Sequence, residues 1–523
     1  MSDSTKHLHN EGDPENAPLD TNNMGAADGT DSADAFLQNS KGEGESPSHA
    51  KILVNLALAS AIEFFHSPEG DAYVTMRVAG QTWLHNETWP VDSKTTRLWL
   101  QQRFFEKINK PVSSQAVEEA INYLKGRALF KGPEHPVFVR IAEYDGAIYV
   151  DLGDESWIPV EIKASGWTRR VNPPVRFVRY KGMQPLPEPV RGGTLDELRD
   201  LLNADQDDAW ILMVSWLIAA YHPTGPFPVL DLTGGKGSGK TTNARMLRGL
   251  VDPHASPLKT LPRSERDLMI HALHNRVLAF DNLSSVPGWL SDALCRLSTG
   301  GGFTVRKNYS DLDEIIMEAK RPMILTGIDY VPERDDLQER SFIVTLPKIE
   351  DRRTERELWE AYEEARPRIL SAVFDAVSAA LRNRDKVSLN LPRMADAAEW
   401  IQAAEEVFPW AEGTFAKTLE TNHEESIKEI LNSNPIVRRL RVFMKGKEEW
   451  KGTATELRSA LSNVFITQRI GQLPAAHVLS RRLRSLEADL HLVSGIEMMF
   501  DLREGENGDR KIRIRNGVLS KAA

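Results

Sequence analysis

The run Gly234-Gly235-Lys236-Gly237-Ser238-Gly239-Lys240-Thr241 fits the pattern G-x-x-x-x-G-K-[ST]. This combination suits phosphate chemistry. Glycines let successive backbone N–H groups curve round an anion. Lys240 offers a flexible positive charge to the β- and γ-phosphates, and the Thr241 hydroxyl is a ligand for Mg²⁺. Thr242 carries the turn into the next segment. About forty residues on, Arg276-Val277-Leu278-Ala279-Phe280-Asp281-Asn282 is an apolar strand that ends in an acid. Asp281 is placed to meet Mg²⁺ directly or through water. The position after it often holds a glutamate that polarises an attacking water. Here it is Asn282, which can orient a water but cannot take its proton. ATP and Mg²⁺ are the expected ligands. The bland alternatives are a ligand-free glycine-rich turn and an acid capping a buried strand.

Two more residues could complete such a site. Thr326 follows the apolar stretch Pro322–Leu325. It either contacts the γ-phosphate or attacking water, or simply ends a strand. Arg340 closes Asp336-Leu337-Gln338-Glu339-Arg340, just before the next apolar run. In a ring it would reach a neighbour's γ-phosphate; otherwise it pairs with Glu339 or Asp336 at the surface. Between them, the stretch from Gly300 to Met317 reads as a hairpin. Arg306 and Lys307 would touch DNA phosphates and Tyr309 would stack on a base, or the hairpin is merely solvated.

Residues so far apart in sequence need a frame that brings them together. Residues 206–350 alternate buried strands with helices, the pattern of a largely parallel sheet. Its strands are 228–233, 276–280, 321–327 and 342–346. Ligands bind beyond the carboxyl ends of such strands. Residues 1–48 are acidic and poor in aromatics, which predicts a disordered tail. An α+β N-terminal domain follows over 49–205. Lys51–Phe65 reads there as one apolar helix, 71–78 as a strand, 93–106 and 114–124 as helices, and 137–152 as a hairpin turning at Asp145-Gly146. Asp151 and Asp154 read as a solvated hairpin end rather than a metal pair. Residues 351–437 look helical and polar, with Trp359, Tyr362 and Ile369 at core spacing.

The formal charge of −10 is uneven, because residues 438–523 hold 17 basic and 10 acidic side chains. That stretch reads helix, helix, helix, hairpin, the order of a winged helix. Leu479, Leu483 and Leu486 mark one helical face, which leaves Arg481, Arg482 and Arg484 on the others. Arg510, Lys511, Arg513 and Arg515 lie in the hairpin. These residues suit DNA phosphates and grooves, or a solvated basic surface. The single cysteine, Cys295, excludes an internal disulfide framework, and the scattered histidines predict no structural zinc. No apolar run has the length of a membrane span, so a cytoplasmic, membrane-free protein is expected.

The segments GGKGSGKTT, LPRSERDLMIHA, VLAFDN, LSDALCRLSTGGGF, ILTGI and DLQERSFIVTLP together resemble a family of ATPases encoded by phages, plasmids and genomic islands. These are relatives of superfamily 3 and minichromosome-maintenance-like AAA+ helicases. The likeness is most specific over 228–347. It implies an AAA+-like core, a hexameric homo-oligomeric ring, ATP hydrolysis between subunits and movement along DNA. By position it matches Lys240 and Thr241 to Walker A, Asp281 to Walker B, Thr326 to sensor 1 and Arg340 to the finger, with Arg393 as a weaker second sensor. Many relatives carry Asn in place of Thr326, and an acid in place of Asn282. The expectation is therefore a DNA helicase or replication-initiator ATPase. Beside it stand an ATP-binding switch, loader or regulator with weak hydrolysis, and, more remotely, a small-molecule kinase.

Overall fold

The computed structural model describes residues 47–79, 84–204, 206–306, 314–328, 335–350, 353–387, 394–464, 473–504 and 509–517. The expected acidic tail, apart from its last two residues, lies outside these, as do Lys307, Tyr309 and Arg393. Among the described residues no helix is long and apolar enough to cross a membrane. The chain divides into two compact units, one of Met1–Arg77 with Thr88–His135 and one of Val78–Glu87 with Pro136–Ala523.

The first unit holds α1 (His49–Ser60), β1 (Ala61–His66), most of β2 (Ala72–Ala79), the end of β3 (Leu84–Pro90), α2 (Lys94–Ile108) and α3 (Ser114–Lys131), the facing ends of β2 and β3 falling in the other unit. Each helix begins at a serine, Ser48, Ser93 or Ser113, whose hydroxyl accepts a backbone N–H of the first turn. The segment 51–65, expected as one helix, is instead a helix and a strand. The chain turns extended at Ala61, and Phe64 and Phe65 pair with Val74 and Tyr73 of β2. An aromatic pair of this kind is better packed on a pleated face than wound into one more helical turn.

In the second unit, β4 (Val137–Phe138) pairs in parallel with β9 (Arg176–Phe177), around an antiparallel meander of β5 (Ile141–Tyr144), β6 (Ala147–Val150), β7 (Val160–Lys163) and β8 (Gly166–Arg169). The turn at Asp145-Gly146 has positive φ at both residues, 51° and 72°, as a tight hairpin requires. Asp151 is buried and held by Arg179 at 2.6 Å, and Asp154 by Arg169 at 2.8 Å. The hairpin end is thus an arginine-braced corner, where a solvated one was expected.

Helix α4 (Asp207–Ala219), buried from Ala209 onward, precedes a four-stranded sheet. Its strands are β10 (Val229–Thr233), β11 (Leu278–Leu283), β14 (Met323–Gly327) and β15 (Ser341–Thr345), in the order β11-β14-β10-β15 and all parallel. Each follows an apolar run read from the sequence. Lys259 adds one isolated parallel bridge to Phe280 on the outer side of β11. Helices α5 (Lys240–Gly249), α6 (Glu265–His274) and α7 (Gly288–Thr299) connect the strands. The antiparallel ladder β12 (Gly302–Arg306) with β13 (Glu314–Glu318) stands between α7 and β14.

Helices α8 (Glu355–Asn383), α9 (Ala395–Ala403) and α10 (Thr414–Ser433) follow. One core joins the meander, α4, the sheet and α8: Ile148, Trp216, Leu232, Ile369 and Phe415 belong to it. Trp167 of β8 seals this join by donating its indole N–H to Asp375 at 2.8 Å. Tyr362 is in this core and Trp359 packs against it. At the sheet's edge, the Asn422 amide of α10 donates to Ile343 O at 2.6 Å and accepts its N–H at 3.2 Å, closing β15 as a further strand would. Farther along α10, Ile427 and Leu431 enter a separate core.

That second core belongs to α11 (Pro435–Met444), β16 (Glu449–Thr453), α12 (Ala454–Ser462), α13 (Ala476–Ser485), α14 (Glu487–Ser494), β17 (Ile496–Glu504) and β18 (Asp509–Asn516). The strands form an antiparallel sheet in the order β16-β18-β17. The sequence reading missed β16, whose residues EWKGT show no alternation.

Candidate functional site

The glycine-rich loop leaves the carboxyl end of β10 and enters α5. Gly234, Gly237 and Gly239 all have positive φ, at 141°, 82° and 75°. A side chain at Gly234 would meet Leu346 O at 2.5 Å, so only glycine fits. Gly239 is the N-cap of α5, and no side chain caps that end. The helix therefore points its amides and positive dipole end into the loop. Gly235, Lys236 and Gly237 are exposed, Ser238 is buried and Thr242 half-buried.

Lys240 folds back over the loop. Its ammonium donates to Gly234 O at 2.7 Å, Gly235 O at 2.9 Å and Ser238 Oγ at 3.2 Å. Burial lowers its pKa, and the nearby Asp281 carboxylate opposes that shift. Thr241, the next residue, donates to Asp281 Oδ1 at 3.1 Å. The loop and the end of β11 are thus in direct contact.

Around Asp281 the pairing of β11 with β14 is irregular. Phe280 pairs with Leu325, the register then shifts, and Asn282 takes a φ of 59°. The cause is a hydrogen-bond triangle. The Asn282 N–H donates to Thr326 Oγ1 at 3.0 Å, and that hydroxyl donates to Asp281 Oδ1. Thr326 is buried and has one proton, which Asp281 accepts. The Asn282 residue itself is exposed.

A brace that the sequence reading missed holds the loop from outside. Asn203 Nδ2 donates to Ser238 O at 2.9 Å and Pro347 O at 2.7 Å, and its backbone N–H meets Asn243 Oδ1 at 3.3 Å. Ile349 N–H reaches Gly237 O at 3.2 Å. These partners come from three distant segments with no motif of their own, so no local pattern marks them.

Arg340 does not join this cluster. Its carbonyl accepts the Val229 N–H at the start of β10, so it sits at the amino edge of the sheet. The five residues of β10 separate it from the loop, about 16 Å of strand. In its own chain its guanidinium donates to Asp336 O and pairs with the Asp336 carboxylate at 3.8 Å. An open cavity of about 510 Å³ lies beside β11, lined by Lys259, Arg263, Asp267 and His271 among others, with no loop residue in its wall.

Of the basic residues expected on DNA, Arg306 ends β12, and Arg481 and Arg482 are exposed on α13 above buried Leu479 and Leu483. Arg484 pairs with Asp501 at 2.8 Å, and Arg513 with Glu449 at 3.5 Å. These two carry neutralising partners that the sequence reading did not foresee.

The residues present fit a nucleotide with Mg²⁺. Three positive-φ glycines, an uncapped helix end and a lysine satisfied only by neutral oxygens suit phosphates. A hydroxyl touching a carboxylate offers the hard oxygens that Mg²⁺ prefers.

Solved structures similar to this chain include two of the NrS-1 C-terminal region in apo form. One shares 12% identity, covers 91% of this chain and 100% of its own, and has a TM-score of 0.36. The other, also at 12%, covers 86% and 88% with a TM-score of 0.39. A JCV helicase bound to a small molecule shares 12% identity over 44% of this chain and 72% of its own, with a TM-score of 0.20. At such scores the site rests on its own geometry. No curated protein matches the chain. Two family models do match. Residues 195–407 match that of the actinomycete integrative conjugative element replication protein, and residues 436–522 match the RepA C-terminal domain of the same elements. Together they span more than half of the chain, which belongs to this family of replication proteins.

Proposed function

We propose that this replication protein is an ATP-hydrolysing DNA motor, a helicase or replication-initiator ATPase, working in the cytoplasm as a homo-oligomeric ring. The observation that carries this reading is the contact of Thr241 with Asp281 beside a loop closed over by Lys240. In this reading residues 234–239 and α5 form a P-loop in an AAA+-like core, and 438–523 form a winged-helix-like DNA-binding module.

Lys240 exchanges its loop carbonyls for phosphate oxygens, and the amides at the start of α5 cradle the rest. Thr241 and Asp281 would hold Mg²⁺, which neutralises charge on the β- and γ-phosphates. Thr326 has spent its proton on Asp281, so it acts as a positioning residue rather than a γ-phosphate sensor. Arg340 lies too far from its own loop to act there. Its catalytic use requires a neighbouring subunit and release from Asp336. Arg306, Arg481 and Arg482 are the proposed DNA contacts, together with Lys307 and Tyr309, which lie outside the described residues; Arg484 and Arg513 contribute by exchanging their carboxylate partners for phosphate.

A second reading is a nucleotide-bound switch or loader. Asn282 favours it, because no carboxylate follows Asp281 to accept a proton from water. ATP hydrolysis with and without single-stranded DNA, beside Lys240→Ala, separates the two. The motor reading expects stimulation by DNA, and at least a hundredfold loss in the variant. Tight ATP binding without turnover, even with DNA, would establish the switch, and DNA unwinding that persists in Lys240→Ala would sink the motor.

A further inference from the structure

Helix α3 of the first unit presents one face to its own core through Val117, Ile121, Leu124 and Ala128. On the exposed side, Tyr123, Arg127 and Phe130 follow at i, i+4 and i+7, which places them in one stripe. Phe130 is 87% exposed and Tyr123 54%. Two aromatic rings in water with a guanidinium between them are poorly explained by the folding of this unit, because neither ring is buried by it. The helix pair around them is basic: residues 93–132 hold eight basic and three acidic side chains, in a chain whose net charge is −10. Some of that charge is already used. Lys125 pairs with Asp92 and Arg97 with Glu118. Glu119, one turn before Tyr123, accepts from Gln115. Arg127 and Lys131, which flank Phe130, are both exposed.

We propose that this stripe of α3 binds single-stranded DNA, with bases stacked on Phe130 and Tyr123 and backbone phosphates on Arg127 and Lys131. The positive charge of the helix pair selects a polyanion over an apolar partner. The separation of the rings by two helical turns, about 10 Å, leaves room for successive unpaired bases to splay between them. A duplex keeps its base faces stacked on each other and offers nothing to these rings. The proposal rests on the reading that the protein handles DNA, and it assigns part of that work to the first unit.

The test uses the full-length protein and fluorescein-labelled dT30, with affinity read by anisotropy. Tyr123→Ala with Phe130→Ala is expected to weaken binding about tenfold or more, while Phe130→Trp keeps it near wild type. Arg127→Ala is expected to reduce the salt dependence by about 0.7 in the logarithmic slope. Ultraviolet cross-linking should map dT30 to the peptide holding Tyr123 or Phe130. Unchanged affinity in the double variant, with cross-links only to residues 300–320 or 438–523, would overturn the assignment and leave the motor reading standing. Failure of the wild type to bind dT30 would overturn both. Unchanged DNA binding with an altered oligomeric state in the double variant would instead make the stripe a contact between copies of the chain.

Discussion

The two ends of the parallel sheet handle charge in opposite ways. At the carboxyl end, Lys240, Thr241 and Asp281 are partly exposed, and Lys240 is satisfied only by neutral oxygens. At the amino end, Arg140, Arg248, Asp252 and Arg276 are all buried and hydrogen-bonded within the fold. Asp252 accepts Arg140 Nε at 3.2 Å and the backbone N–H groups of Arg276 and Val277 at 2.9 and 3.2 Å. Arg248 donates to Asp252 O at 3.2 Å and Asn275 Oδ1 at 3.0 Å. One end keeps bonding capacity to exchange with a ligand, and the other has spent it on holding β11 and α5 in place. A motif search finds the first because its residues are contiguous. The second is as closely built but scattered from residue 140 to 276.

The contrast is most exposed to Asp252→Ala, which leaves buried guanidinium groups without a counter-charge. A loss of about 3–5 kcal/mol in unfolding free energy is expected, whereas Lys240→Ala should leave the urea midpoint within error. Equal midpoints for both variants would end the distinction between the two edges.

Next in size is an effect of pH at the amino end. Burial, reinforced by Arg276 and other cations, pushes the His222 imidazole down to about 4. Its Nδ1 accepts the N–H groups of Thr224 and Gly225 at 3.3 and 2.9 Å, which only the neutral ring can do. The unfolded chain takes up this proton near pH 6.5 and the folded one not until about pH 4. Stability from this group is therefore full above about 6.5 and falls as the pH drops through that window. The loss from pH 7 to pH 5 should be roughly 2 kcal/mol greater in the wild type than in His222→Asn, whose oxygen can accept the same bonds. Parallel urea midpoints for the two proteins across that range would refute it.

The smallest of these effects sharpens the carboxyl end. Thr326→Val removes the donor to Asp281 and the acceptor of the Asn282 N–H. ATP hydrolysis should fall about tenfold, with a higher Mg²⁺ requirement and little change in the KM for ATP. Thr326→Ser should restore both. A Thr326→Val enzyme with normal Mg²⁺ dependence would return Thr326 to the role of an ordinary strand end.

What was readable in advance followed the range of the interactions. The strands of the parallel sheet, the loop and Asp281 each rest on a local pattern: an apolar run, glycine spacing, an acid at a strand end. Lys51–Phe65 misled because an apolar run of that length suits a helix, and only its pairing with β2 makes a strand of its second half. The Asp336 partner of Arg340, one turn away, was one of the two alternatives open in the sequence, but Asn203 and the Thr326 triangle were unreadable for a different reason. Each depends on which strand lies beside which, and that order, β11-β14-β10-β15, is set by long-range packing. The carboxylate partners of Arg484 and Arg513 were unreadable for the same cause, since Asp501 and Glu449 lie on strands that only the fold brings beside them.

Helix α10 has a foot in each of two cores. Phe415 and the Asn422 clasp fix its first half to the sheet, while Ile427 and Leu431 fix its last turns among α11 to β18. A twenty-residue helix is about 30 Å long. A rod held in both cores couples them: the Asn422 clasp lies about 16 Å from the helix's end, so a tilt of about 10° there would carry that end through about 3 Å.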